Sequence, residues 1–243
     1  MTFHTEKNIH IPSTQSWIEK FIYQPHQLFF TSTIFFTLLI MSLTILSLNG
    51  TVQLNFVTIH SFGLVYAVFT NAFLGFLITV VPKYTNAPII NKKQYVVPWL
   101  FLQFGMIITM IGFETVGKLL VIFTIFYFNY IFYSTTTKGT AISKRETIIL
   151  NILLFIGALF LLFEVVINQN LSMLIFFGYL ISLIFIVAQK MIPAFYSGYT
   201  QSPMWKKPKY LSEISAILLM FLGITLQFEL SLFIKKHLQF YLF

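Results

Sequence analysis

Seven stretches of the chain are almost entirely apolar, and each is about as long as a helix that crosses a lipid bilayer. A membrane-spanning helix needs about 20 mostly apolar residues. The stretches are continuous runs of aliphatic residues and phenylalanine, without the alternation at every second residue that a β-barrel shows. The pattern predicts an all-α fold, a polytopic membrane bundle of about seven transmembrane helices. The predicted spans are residues 29–48, 57–81, 96–113, 117–134, 147–167, 171–192 and 211–234.

The composition strengthens this interpretation. Hydrophobic residues make up 57% of the 243-residue chain and charged residues only 9%, whereas a soluble domain carries roughly 25% charged residues. Too few charges are present to cover a water-facing surface, which excludes an ordinary soluble enzyme, a disordered protein and a nucleic-acid-binding module. The lipid bilayer is therefore the expected partner, and nucleic acid is not. The chain has no cysteine, so thiolate metal sites are excluded as well.

The positive charges predict how the bundle is oriented. All lysines and the arginine except Lys118, Lys235 and Lys236 lie in the N-terminal segment or in the loops 82–95, 135–146 and 190–210. Lysine and arginine are enriched in cytoplasmic loops of membrane proteins. An odd number of spans then predicts a cytoplasmic N-terminus and a periplasmic C-terminus.

Two units are predicted along the chain. Residues 1–28 form a cytoplasmic tail, in which residues 14–24 form either a short amphipathic helix on the membrane surface or a flexible segment. Residues 29–243 form a single transmembrane helical domain. Pro193 is expected to end the sixth span, and the loop 194–210 is expected to be the longest and most mobile connection.

A stripe of small and polar residues runs along the second predicted span. It starts at His60, about one turn inside the outer end, and continues at helical spacing through Gly63, Ala67, Asn71 and Gly75. Small residues let a neighbouring helix or a flat cofactor approach closely. Two interpretations stay open: His60 ligates a cofactor that packs on the stripe, or the stripe is an ordinary helix contact with His60 hydrogen-bonded to a neighbour.

Three glutamates lie near the outer ends of the third, fifth and seventh predicted spans, at the same depth as His60. They are Glu114, Glu164 and Glu229. An ionisable residue inside a membrane is costly unless it is paired or liganded. The layer therefore predicts either an outward-facing polar pocket or glutamates that simply reach the lipid headgroups. The amides expected to extend a hydrogen-bond network toward the midplane are those of Asn71, Gln103 and Gln227.

Three segments resemble the NnrS family, bacterial inner-membrane proteins associated with the nitric-oxide response and described as containing haem and copper. They are PHQLFF at 25–30, His60 together with GFLITVVPKYTN at 75–86, and QKMIPAF at 189–195. The family counterparts are PHxxFF, an HxHE start with a GFLLTAVPNWTG ending, and GRVIPAF. Members usually have about a dozen spans. The chain is identified as a short divergent form that covers roughly the first seven of them.

The resemblance implies a multi-pass protein of the bacterial inner membrane, linked to nitric-oxide response or resistance and associated with haem or copper. It implies His60 and His26 as metal ligands, and Gly63 and Asn71 as further cofactor-binding residues. Phe62 and Gly63 stand where the family motif has its second histidine and its glutamate. Either a metal site has been lost, or a second subunit or another copy of the chain completes the bundle. No catalysed reaction is assigned.

Two other functions fit the same residues. The outer glutamate layer and the polar stripe are also expected of a transporter or permease-like protein with an outward-facing polar pocket. A non-catalytic scaffold or assembly subunit would use its spans only to hold a partner. The optical spectrum and metal content of the purified protein separate these functions from a haem or copper protein.

Overall fold

The fold of the chain is all-α, as predicted. The computed structural model describes residues 16–53, 55–56, 58–201 and 208–240, without the side chains of residues 194 and 230–240, and no strand occurs in these ranges. Two of the helices contain π-helical stretches, Thr58–Thr70 and Ile175–Ile181. The helices are α1 (Trp17–Tyr23), α2 (Pro25–Leu48), α3 (Thr58–Thr85), α4 (Lys92–Met110), α5 (Glu114–Lys138), α6 (Arg145–Ile167), α7 (Ser172–Thr200) and α8 (Leu211–Phe240).

Six of the described helices are long and apolar enough to cross a membrane, namely α2, α3, α5, α6, α7 and α8. Helix α4 overlaps the third predicted span, starting and ending a few residues earlier, and begins with Lys92, Lys93 and Gln94, which makes it less apolar. Large apolar side chains cover the outside of the bundle; Leu38 and Phe123, for example, are mostly exposed. An extended apolar surface of this kind suits a bilayer rather than water. The chain is thus a multi-pass membrane protein.

Helices α2 and α3 pack closely because α3 presents glycines to α2. A Cβ atom added at Gly75 would overlap the Cβ of Phe29, and one at Gly63 would lie 2.9 Å from Cδ1 of Ile40. Small residues allow helix backbones to approach in this way. The stripe that starts at His60 is therefore largely covered by α2.

Helices α4 and α5 form the hairpin that the short connection between the third and fourth predicted spans indicates. Gly112 in the turn has a φ of 105°, a conformation that residues with a side chain rarely adopt. Gly105 of α4 and Gly117 of α5 meet at the contact, where a Cβ on Gly117 would lie 2.6 Å from the carbonyl oxygen of Gly105. These close contacts hold the two helices together as a helical hairpin.

The prediction that Pro193 ends the sixth span is wrong, because α7 continues through it to Thr200. Proline removes one backbone donor and crowds the preceding turn. Membrane helices tolerate this when the freed carbonyl finds another partner. The expected loop 194–210 is thus helical up to Thr200, and its residues 202–207 lie outside the described ranges.

A short helix forms within the predicted segment 14–24. The Ser16 hydroxyl accepts a hydrogen bond from the Glu19 backbone N–H at 3.3 Å, and the Glu19 carboxylate accepts one from the Ser16 backbone N–H at 3.2 Å. This reciprocal pair caps the start of α1. The Tyr95 hydroxyl lies 2.8 Å from the carbonyl oxygen of Ile22 and so ties α1 to α4. Residues 1–15 of the predicted tail lie outside the described ranges, and a position on the membrane surface stays a prediction.

The bundle has two chemically different ends. The basic end contains Lys83, Lys92, Lys138, Arg145 and Lys190, and the glutamate end contains Glu114, Lys118 and Glu164. The Tyr95 contact holds α1 at the basic end. In α8, the Gln227 side chain donates a hydrogen bond to the carbonyl oxygen of Asn170 at 2.8 Å. This contact places that part of α8 beside the glutamate end.

Candidate functional site

The two histidines singled out from the sequence lie at opposite ends of the bundle. His60 is in the first turn of α3, where Thr58 donates to Glu114 at 3.0 Å. His26 is in the first turn of α2 and lines a cavity together with Thr79, near the other end of α3. The helical rise between them is roughly 25 Å. A single metal ion cannot bind both side chains of one chain.

His60 carries the feature most suggestive of ligation. Its ring is half-buried and stacks on Phe56, with 5.4 Å between ring centroids. Its Nδ1 atom is buried and has no hydrogen-bond partner among the described residues. A buried imidazole nitrogen without a partner is costly, and imidazole nitrogens are common metal ligands. His26 is by contrast exposed, with its ring 6.5 Å from that of Phe30.

The side chains fit one kind of metal site and not another. The described residues contain no group of three or more histidine, aspartate or glutamate side chains that could hold a metal ion. A copper site built from several imidazoles therefore does not fit within the described part of the chain. Haem iron needs only one or two axial imidazoles. The donor chemistry of His60 would suit one protein ligand to a haem iron.

The other two predicted cofactor-binding residues contact neighbouring helices. Gly63 packs against Ile40 of α2. Asn71 is fully buried; its amide nitrogen donates to the Ser32 hydroxyl at 2.9 Å, and its oxygen accepts from Gln103 at 3.3 Å. These contacts favour helix packing as the role of the stripe, and a cofactor role for Gly63 and Asn71 stays a prediction.

The hydrogen bonds around Asn71 form part of the network expected from the sequence. Asn71 and Gln103 are joined directly, whereas Gln227 bonds at the glutamate end instead. Trp99 also belongs to the network, because its indole N–H donates to Ser32 at 3.2 Å. Sequence reasoning missed Ser32 and Trp99, because each lies within a predicted membrane span and its polar atom gives no periodic signal.

Lys118 organises the glutamate end. Its Nζ atom lies 3.0 Å from a carboxylate oxygen of Glu164 and 3.5 Å from one of Glu114. The side chains of Lys118 and Glu164 are only 12% and 15% exposed. The three residues together carry one net negative charge. Glu229 is exposed and has no contact with this cluster among the described side chains, so two of the three expected glutamates meet here.

A small polar cavity of about 150 Å³ opens at the same cluster. Besides the cluster, it is lined by hydroxyl and amide side chains, including those of Thr58, Ser61 and Asn168. The sequence indicated the layer of glutamates but gave no role to Lys118. Its position one helical turn after Glu114 was the available signal, because residues four apart share a helix face.

The three segments that carry the family resemblance meet at the basic end. Lys190 of the third segment lies over the Tyr84 ring of the second, 3.8 Å from its centroid, and pairs with Glu146 at 3.1 Å. His26 of the first segment and Lys83 of the second line one cavity. His60 also carries part of the resemblance, but it lies at the glutamate end of the described bundle.

The comparison with known proteins agrees with the resemblance. No curated protein and no solved structure matches the chain significantly. A family model described as NnrS protein matches residues 20–242, which is nearly the whole chain. The chain therefore belongs to the NnrS family.

Proposed function

We propose that this protein is a haem- or metal-associated protein of the bacterial inner membrane that takes part in nitric-oxide response or resistance. Membership of the NnrS family supports the membrane setting and the nitric-oxide link. One observation carries the cofactor part: the buried Nδ1 atom of His60, unpartnered among the described residues of an apolar helix. No catalysed reaction is assigned.

In this proposal His60 would hold the cofactor through its imidazole, and stacking on Phe56 restrains the ring. A bound haem would supply an iron centre that coordinates nitric oxide. Nitric oxide is small and apolar and enters membranes unaided, so no aqueous channel is required. His26, the other histidine whose side chain is described, lies at the opposite end of the bundle, and the proposal takes a further ligand from a second copy of the chain or another subunit.

The ligand assignment is tested by comparing His60→Ala with His26→Ala in detergent-purified protein. We expect the wild type to show a Soret band. The His60→Ala variant should contain at least about tenfold less haem or metal than the wild type, and its elution volume in size-exclusion chromatography should be unchanged. His26→Ala should retain the cofactor because its side chain lies at the opposite end. Loss in His26→Ala with retention in His60→Ala would move the site to the basic end and contradict the proposal.

We also propose seven spans with a cytoplasmic N-terminus, with α4 as a span despite its basic start. The chain contains no cysteine, so single cysteines report topology without background. Gln169→Cys, at the glutamate end, should react with a membrane-impermeant maleimide in intact cells. Lys138→Cys, at the basic end, should react only after permeabilisation. The reverse labelling, or equal labelling of both, would refute this orientation.

A second candidate, a transporter or permease-like protein, is supported by the polar cavity at Lys118 and Glu164. The purified protein separates the two functions. A colourless, metal-free protein whose melting temperature rises with a small polar solute, and no longer does so in Glu164→Gln, would favour the second candidate. A Soret band that depends on His60 favours the first.

A further inference from the structure

An open cavity of about 890 Å³ lies at the basic end, between the starts of α2 and α4 and the end of α3. Its wall includes His26, Lys83 and Lys92 together with apolar residues such as Ile78 and Ile89. We propose that this cavity binds the phosphate headgroup of an anionic membrane lipid. The proposal does not depend on a haem or metal cofactor.

The charge of the cavity favours an anion. Its lining contains two lysines and a histidine and no carboxylate. Lys83 and Lys92 are exposed and form no ion pair with any described residue. The helix ends add little net charge, because α2 and α4 begin at the cavity wall whereas α3 ends there, and the two kinds of helix end carry opposite partial charges. The basic groups that line the cavity are thus free to contact a phosphate.

The acidic residues of the basic end are occupied elsewhere. Glu146 pairs with Lys190 at 3.1 Å, and Glu213 pairs with Arg145. Glu19 caps the start of α1. No described carboxylate on these elements therefore neutralises the lysines of the cavity.

The apolar part of the lining favours a lipid over a free ion. Ile89 is 75% exposed beside the cavity, and Ile78 lies at its wall. A phosphate ion would gain nothing from this apolar surface, whereas the glycerol backbone and first acyl carbons of a lipid would bury it. Basic pockets between transmembrane helices are known to hold anionic lipid headgroups. The volume lies within the usual range of ligand sites.

The test compares two double variants that remove the same charge from the same end. Lys83→Gln with Lys92→Gln changes the cavity lining, and Lys93→Gln with Lys138→Gln changes exposed lysines outside the lining. Retention of phosphatidylglycerol is measured by native mass spectrometry of full-length protein in mixed micelles. Loss of both cavity lysines should weaken binding about 30-fold, which corresponds to about 1 kcal/mol for each lysine. The second should stay within about twofold of the wild type.

Further measurements distinguish a lipid headgroup from free phosphate as the bound ligand. Phosphatidylcholine with the same acyl chains should be retained at least about tenfold less than phosphatidylglycerol, and inorganic phosphate should not displace the lipid at millimolar concentration. Lys83→Arg with Lys92→Arg should restore binding, which separates loss of charge from loss of fold. Equal losses in both glutamine doubles, equal retention of the two lipids, or displacement by phosphate would each overturn the proposal.

Discussion

Replacing Lys118 with methionine is expected to lower the melting temperature more than loss of any exposed lysine. The variant removes the single positive charge between Glu114 and Glu164, of which Glu164 is only 15% exposed. Breaking a largely buried ion pair costs about 3–5 kcal/mol, because one charge stays buried without its partner. Partial exposure of Glu114 places the expected loss at the lower end, about 3 kcal/mol. For a chain of this length that corresponds to roughly 6–12 °C.

The measurement is thermal unfolding of the purified variants in detergent, followed by intrinsic fluorescence. Lys138→Met is the matched control, since Lys138 is exposed in the last turn of α5 and makes no ion pair with the described residues. Its melting temperature should change by less than about 2 °C. Adding Glu164→Gln to Lys118→Met should recover part of the loss, because it removes the stranded charge. A Lys118→Met protein that melts like the wild type would show that the pair contributes nothing to stability.

The positions of the helices could be predicted from the sequence because a bilayer imposes a fixed length on every apolar run. The observed helices extend beyond several predicted spans at their polar ends; α2 starts at Pro25 and α5 reaches Lys138. Backbone groups continue to pair beyond the apolar run, so hydropathy underestimates helix length. Pro193 was misinterpreted for a related reason: inside a long helix one missing donor does not stop the neighbouring turns.

The partner of each helix face could not be predicted in the same way. The stripe from His60 was recognised as a close-packing surface, but hydropathy does not specify that Phe29 and Ile40 of α2 would cover it. The glutamate layer was recognised by depth alone. Depth does not distinguish Glu164, which faces Lys118, from Glu229, which is exposed. Contacts between side chains depend on the rotation of each helix, and this rotation is set by packing rather than by the apolar pattern.

The placement of the histidines changes which sites the sequence supports. Each was chosen for its place in a family-like segment, and the bundle separates them by roughly 25 Å. His60 keeps the property of a ligand, an unpartnered buried nitrogen among the described residues. His26 instead contributes to a basic cavity with Lys83. The two ends of the bundle are therefore proposed to bind different ligands: a haem or metal cofactor at His60, and a lipid phosphate at the cavity that His26 and Lys83 line.

Replacing Gly117 with alanine is expected to have the second large effect, because the added methyl group meets backbone atoms in addition to the Thr109 hydroxyl. It would lie 2.5 Å from the backbone nitrogen of Thr109 and 2.6 Å from the carbonyl oxygen of Gly105. Helix backbones cannot retreat by a rotamer change, so α4 and α5 must separate along their contact. Overpacking of this kind costs about 1–3 kcal/mol, and the rigid neighbours favour the upper end of that range.

Gly198→Ala supplies the matched control for Gly117→Ala, since Gly198 is also helical but has open space where its Cβ would lie. Alanine is the better helix former by about 1 kcal/mol, so Gly198→Ala should melt at or slightly above the wild-type temperature. Gly117→Ala should melt roughly 4–10 °C below it. Because Gly117 directly precedes Lys118, separating the hairpin should also weaken the pair with Glu164. Lys118→Met should then cost less in the Gly117→Ala background than in the wild type, whereas strictly additive losses would show that the hairpin contact does not position Lys118.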